Sequence, residues 1–210
     1  MKLPVLRLAV LGSTKGTDLD AVIQAIKSNQ LNASIEFVLS DKSDAFILTR
    51  AKNHGLKTIF LDFKNKTREQ FCQELMDLLD SSKIDLIVLI GFMRILTSDY
   101  VEKFGLKTMN IHPSLLPAFA GGMDKNVHQA VLDSGIKETG CTLHFVSEQA
   151  DQGPIILQKK VSVSAGETVD SLKEKVQQAE QVIIVQGIRL FSERKIKLVN
   201  TKVVIEEYLC

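Results

Sequence analysis

Asn110 and His112 stand two residues apart in Lys107-Thr108-Met109-Asn110-Ile111-His112-Pro113, and their types suit a site that handles negative charge and protons. A buried strand is predicted over 107–111. Its alternation about Ile111 puts Asn110 and His112 on one side as the strand ends. Pro113 stops further ladder pairing and biases His112 to an extended backbone. An amide can donate to a developing oxyanion, and imidazole is the side chain best suited to moving a proton near neutral pH. The carboxyl end of a strand in an open parallel sheet is where ligands bind.

Three other stretches bear on that chemistry. Asp151 lies in the loop Gln149-Ala150-Asp151-Gln152-Gly153-Pro154. Beside His112 it would favour imidazolium and raise the pKa, whereas a lone Asp in a Gly-Pro loop also reads as a turn residue. His144, between Leu143 and Phe145, reads as a supporting core histidine. No close-spaced ligand pair supports a metal site with His112 and Asp151, so no metal is expected. The segment Gly12-Ser13-Thr14-Lys15-Gly16-Thr17-Asp18 joins a first strand to a first helix. It reads either as a phosphate loop at a helix N-terminus or as a capped helix start, with Thr17 or Asp18 the cap. In Gly91-Phe92-Met93-Arg94-Ile95-Leu96, exposed backbone could meet a flat ring. Arg94 is open to two readings, a carboxylate ligand or a structural ion pair.

The elements that must carry these residues alternate. Strands are expected at 5–11, 35–39, 58–61, 86–90 and 107–111, with helices at 18–28, 44–54 and 67–79 between them. Such alternation predicts an α/β fold with a doubly wound, mostly parallel sheet. After a helix near 125–134 the pattern changes. Strands at 142–146 and 155–163, joined by a short loop, predict an antiparallel extension. A long helix follows over 169–189, then a hairpin at 197–200 and 202–205. Residues 1–210 read as a single domain, with the loop 12–18 and the region 91–158 as its functional parts.

The 210 residues carry 26 basic and 25 acidic side chains, a net charge of +1, and no basic stripe with interleaved aromatics, so nucleic acid is not an expected partner. The longest apolar runs, such as Leu86 to Ile90, fall far short of a membrane span, and the start at Met1 shows no signal peptide. Three widely spaced cysteines (Cys72, Cys141 and Cys210) point to a reducing cytoplasm rather than a disulfide frame. Cys141 reads as a small core residue, and Cys210 carries no expectation.

The segments Gly91 to Leu96 (GFMRIL), Asn110 to Pro117 (NIHPSLLP) and Ala150 to Gln158 (ADQGPIILQ), in that order, resemble the folate-dependent formyltransferases, nearest the members that formylate glycinamide ribonucleotide. The resemblance runs from about Leu6 to Leu198. It implies transfer of a formyl group from the co-substrate 10-formyltetrahydrofolate to the amine of glycinamide ribonucleotide in de novo purine synthesis. It implies a cytoplasmic monomer or homodimer with small-molecule substrates. Asn110 would donate to the oxyanion, His112 as imidazolium would stabilise it and donate a proton, and Asp151 would raise the pKa of His112 and organise water. For the folate, the matching positions are Arg68, Met93, Arg94, Ile95, Leu96, Asn110, Ser147, Glu148, Gln149, Ala150 and Asp151. For the nucleotide they are Gly16, Thr17 and Asp18, with Gln177, Gln178, Ala179 and Glu180 on the long helix.

Two departures stand out. The family loop usually reads GxGSN, and Asp18 here sets a carboxylate where a phosphate is expected, an unfavourable pairing unless Lys15 offsets it or Asp18 turns away as a cap. Beyond Pro117, where the family commonly has Pro-Gly, the segment 118–125 is longer and looser, and His128 follows as a nucleotide neighbour. A tRNA formyltransferase would need a C-terminal RNA-binding domain, and a formyltetrahydrofolate hydrolase an N-terminal regulatory one; a sugar-nucleotide formyltransferase usually has a longer chain. A non-catalytic folate or nucleotide-binding module is the rival from another class. Asn110, His112 and Asp151 argue against it, and Asp18 for it.

Overall fold

Leu8 to Leu11 and Leu86 to Leu89 are apolar without interruption and almost fully buried, as strands covered on both faces must be. The computed structural model describes residues 4–122 and 125–206, and it divides into two compact units, 1–110 and 111–210. The expectations for Met1, Cys210 and part of the 118–125 segment (Met123 and Asp124) lie outside the described residues.

The first unit alternates strands and helices in the expected sequence: β1 (Leu6–Leu11), α1 (Asp18–Lys27), β2 (Ala33–Ser40), α2 (Phe46–Asn53), β3 (Thr58–Phe60), α3 (Arg68–Ser81), β4 (Leu86–Leu89), α4 (Ser98–Phe104) and β5 (Thr108–His112), whose last two residues belong to the second unit. The sheet order is β3-β2-β1-β4-β5, and the four pairings are parallel. The chain winds outward from β1 through β2 to β3, then returns to place β4 on the other side of β1. The loops after β1 and β4 therefore flank the point where the strand order reverses, the ligand crevice of doubly wound sheets.

Helix α4 has no counterpart in the sequence reading, and its cause is local. Thr97 caps it by accepting the Tyr100 N–H, and Tyr100 and Phe104, one turn apart, are buried. The Tyr100 hydroxyl lies 3.0 Å from Thr108 Oγ1, which itself donates to the Phe104 carbonyl, so the tyrosine donates and the start of β5 is pinned. Burial pushes the Tyr100 hydroxyl well above the ordinary phenol range. Strand β5 begins one residue later than expected and takes in His112.

In the second unit β5 is followed by α5 (Lys125–Asp133), β6 (Glu138–Phe145), β7 (Ile155–Ser162), α6 (Val169–Ser192), β8 (Ile196–Val199) and β9 (Lys202–Ile205). The order is β5-β6-β7, with β6 and β7 antiparallel, and β8 and β9 make a separate hairpin. Strand β6 starts four residues earlier than expected because Glu138 to Cys141 pair with Lys159 to Ser162. Helix α6 packs on β6, β7 and α5 through Leu172, Val176, Ala179, Ile183 and Ile184. The expected α/β architecture, mostly parallel with an antiparallel extension, is the one observed.

Candidate active site

Strand alternation sets Asn110 and His112 on one face of β5, and His112 is buried at 3% exposure. The chain then turns through the cis peptide Leu116–Pro117. The turn is fixed from β6 and β7. Thr142 Oγ1 donates to the Ser114 carbonyl at 2.7 Å and accepts from Leu116 N–H at 3.0 Å and Gln158 Nε2 at 2.9 Å. Gln158 also donates to the Leu116 carbonyl, and Ser114 Oγ to that of Ala118. Three of these bonds thus tie 114–118 to the strands, and the Ser114–Ala118 bond closes the turn on itself.

The fold brings Asp151 to His112 with 3.3 Å between Oδ2 and Nδ1. His112 Nε2 lies 3.1 Å from the Phe119 carbonyl, so both ring nitrogens face acceptors and a neutral ring donates to just one of them. Asp151 Oδ2 also accepts the Gly121 N–H at 2.9 Å, and Oδ1 faces His144 Nε2 at 3.6 Å. His144 Nδ1 is 2.8 Å from the Phe145 carbonyl. The core histidine of the sequence reading is thus the second neighbour of the site carboxylate. Phe119 and Asp151 both have positive φ, 59° and 57°, a backbone conformation that costs side-chain-bearing residues energy and gathers at functional sites.

Burial pulls His112 below the ordinary imidazole value. The Asp151 carboxylate raises it, as expected, and so does the Phe119 carbonyl, but burial prevails, with the charge of His144 acting in the same direction as burial. The resting imidazole is neutral at pH 7. Asp151 itself is pushed up by burial. The hydrogen bonds from His144 and Gly121 and the charges of both histidines outweigh this and hold it below the usual carboxylate value, so it is ionised.

The loop after β1 is bound at nearly every residue. Gly12 N–H donates to Leu39, Ser13 N–H to Gly91, Ile47 N–H to Thr14, Arg50 Nε to Lys15 and Leu19 N–H to Gly16. The carbonyls of Thr14, Lys15 and Gly16 are therefore turned to protein donors, the polarity an anion-binding loop needs. Gly16 has φ +61°, and a Cβ there would sit 2.3 Å from Ile47 Cγ1. Thr17 occupies the N-cap of α1 in a helical conformation without a side-chain cap bond, so neither it nor Asp18 caps as expected. Asp18 is 3% exposed, and burial pushes its carboxyl up to about 7 against the pull of Arg50. Below that pH it is mostly neutral, which blunts the repulsion anticipated toward a phosphate.

The loop after β4 begins at Gly91, with φ +60°, where a Cβ would lie 2.4 Å from Thr14 Oγ1. Met93 N–H donates to Ser13 Oγ at 3.0 Å, and Ser13 Oγ donates to Asp41 Oδ1 at 2.5 Å. Arg94 is an ion-pair residue here: its Nε meets Asp41 Oδ2 at 2.6 Å, and its guanidinium lies 4.0 Å from the Phe63 ring centroid. Ile95 is 64% exposed and Leu96 is buried. Sequence reading missed Asp41 and Phe63, and gave Ser13 no role beyond its place in the 12–18 loop. The one available signal was a polar run, Ser40 to Asp44, at the carboxyl end of β2.

The remaining candidates lie apart from these clusters in sequence. Arg68 opens α3, is half exposed and meets its neighbour Glu69 at 3.5 Å. Ser147 Oγ donates to the Gln149 carbonyl, shaping a turn that leaves Glu148, Gln149 and Ala150 exposed. On α6, Ala179 and Glu180 are buried, Gln177 is half-buried and Gln178 is exposed. His128, on α5, is 2% exposed. Among the described residues no group of three or more His, Cys, Asp or Glu side chains could hold a metal ion.

A family model for formyl transferase matches residues 6–188. The chain is 37% identical over 194 residues to the phosphoribosylglycinamide formyltransferase of Escherichia coli (strain K12), covering 92% of this chain and 90% of that protein. It is 40% identical over 193 residues to the trifunctional purine biosynthetic protein adenosine-3 of Bos taurus, covering 91% of this chain but spanning only 19% of that protein. The crystal structure of glycinamide ribonucleotide transformylase 1 from Symbiobacterium toebii superposes with a TM-score of 0.92 at 35% identity, over 97% of this chain and 95% of that one.

Proposed function

The chain belongs to the formyl transferase family, and on that premise we propose that it carries the formyl group of 10-formyltetrahydrofolate to the primary amine of glycinamide ribonucleotide, a step of de novo purine synthesis. The observation that carries this reading is the buried His112–Asp151 pair at the end of β5, two residues beyond Asn110 on the same strand face.

The amine lone pair attacks the formyl carbon, and the carbonyl electrons move to oxygen, giving a tetrahedral centre with an alkoxide and an ammonium. Asn110 donates to the alkoxide, and His112, once protonated at Nε2, is a second donor. A proton must then pass from the ammonium to the folate nitrogen before the old carbon–nitrogen bond breaks. With its hydrogen on the Nδ1 that faces Asp151, a neutral His112 can accept the proton at Nε2 and return it, and the ionised Asp151 stabilises the imidazolium in between. The imidazolium so formed is the species that the sequence reading assigned to stabilising the oxyanion and donating the proton.

The strand-end loop 93–96, with Arg68, Asn110 and Ser147 to Asp151, is read as the folate side. Gly16, Thr17 and Asp18, with Gln177 to Glu180, are read as the nucleotide side. The hydrogen-bonded carbonyls of Thr14, Lys15 and Gly16 support the latter. The family match runs through both compact units, which supports a single formyltransferase domain over 1–210. Among the described residues no helix is long and apolar enough to cross a membrane. The buried thiols Cys72 and Cys141 suit a reducing compartment, and the cytoplasm is our reading, with the chain a monomer or homodimer.

The test is a spectrophotometric assay with 10-formyltetrahydrofolate, with and without glycinamide ribonucleotide. Deformylated folate that forms only with the nucleotide is expected. Product without it would make the chain a hydrolase, and binding without turnover a binding module.

A further inference from the structure

Asp41 is a buried carboxylate that the proposed chemistry does not use. Its side chain is 0% exposed, and each oxygen has a partner from a different loop: Ser13 O–H, after β1, on Oδ1 and Arg94 Nε, after β4, on Oδ2. Ser13 Oγ in turn accepts the Met93 N–H, and Ser13 N–H reaches the Gly91 carbonyl. Arg94 is backed by Phe63, which packs on the buried Phe71 at 5.4 Å between centroids. A sealed carboxylate cannot lose one donor without leaving a charged oxygen unpaired, so neither loop can shift alone at low cost.

We propose that Asp41 is a positioning residue that couples the two substrate loops, so that a nucleotide on the loop after β1 tightens the folate on the loop after β4, and the reverse. This rests on the assignment of those loops to nucleotide and folate. A ligand that fixes Ser13 fixes Asp41 and Met93 with it, and the second ligand then meets a loop already in its bound arrangement. By linkage the effect is the same in both directions.

The experiment measures the Kd of 5,8-dideazafolate, which carries no formyl group to transfer, with and without saturating glycinamide ribonucleotide. Wild type, Asp41→Asn and Ser13→Ala are compared, each first checked by thermal melting. In wild type the nucleotide is expected to tighten the analogue about tenfold. In Asp41→Asn an amide cannot accept from both Ser13 and Arg94, and in Ser13→Ala the Met93 N–H loses its acceptor. In either variant the ratio should fall toward one. A merely structural role would weaken both ligands and leave the ratio intact, which overturns the coupling, as does a wild-type ratio near one. Turnover by wild type tests the substrate assignment separately. An enzyme that turns over but whose variants keep the ratio overturns the coupling alone, and one that binds no nucleotide overturns both.

Discussion

The pair of His112 and Asp151 shows two opposing effects on one ring. Burial favours the neutral imidazole, the carboxylate favours the charged one, and burial prevails. Removing the carboxylate leaves burial less opposed. Asp151→Asn is expected to lower kcat on the order of 100-fold. It should also move the acid limb of the kcat/KM profile, already below the ordinary imidazole value of 6.5, to lower pH. Near-wild-type turnover, or a limb that moves up, would remove Asp151 from its assigned role. Asn110 and His112 were legible from the sequence because strand alternation and Pro113 act within a few residues. The protonation of His112 was not, since it depends on Phe119 and His144, which the fold brings in. Asp41 shows the same limit: its place after β2 is readable, but its partners Ser13 and Arg94 lie 28 and 53 positions away.

Among elements, the loop after β4 depends on a residue without a side chain. Gly91→Ala would force a Cβ to 2.4 Å from Thr14 Oγ1 at a positive φ. A loss of about 1–3 kcal/mol is expected, with a raised KM for the folate, measured by thermal melting and initial rates. An unchanged melt would show that Thr14 yields freely. Helix α6 starts in a capping box, with Thr168 accepting from Ser171 N–H and Ser171 Oγ accepting from Thr168 N–H. Thr168→Ala should cost about 1 kcal/mol in urea unfolding with kcat unchanged. The strands and long helices were readable because their apolar periods run for whole elements. Helix α4 was missed because seven residues give too short a period, although the Thr97 cap was there to see.

At the scale of the molecule, two buried groups give stability opposite slopes with pH. Asp18 has a folded pKa of about 7 against an ordinary 3.8, so between those values the folded chain holds a proton that the unfolded chain has shed. Stability from this group is full below about pH 4, falls as pH rises toward 7, and is flat above. His112 works the other way: its folded value lies below 6.5, so stability is full above 6.5 and is lost as pH falls below it. Asp18→Asn should therefore raise stability at pH 8, by on the order of 4 kcal/mol at most, with the gain shrinking toward pH 4. Melting curves across that range test it, and a gain independent of pH would mean that ionisation of Asp18 is not the cause. With a net charge of only +1, long-range repulsion contributes little to either slope.

The backbone of 119–121 already occupies both members of the pair, with the Phe119 carbonyl at His112 and the Gly121 amide at Asp151. A ring nitrogen has one hydrogen to give. Any substrate atom that reaches His112 Nε2 must displace the Phe119 carbonyl. Association at this site is thus an exchange of partners. A ligand is rewarded only by the margin between the bond it brings and the bond it displaces, which makes the empty enzyme its own first competitor.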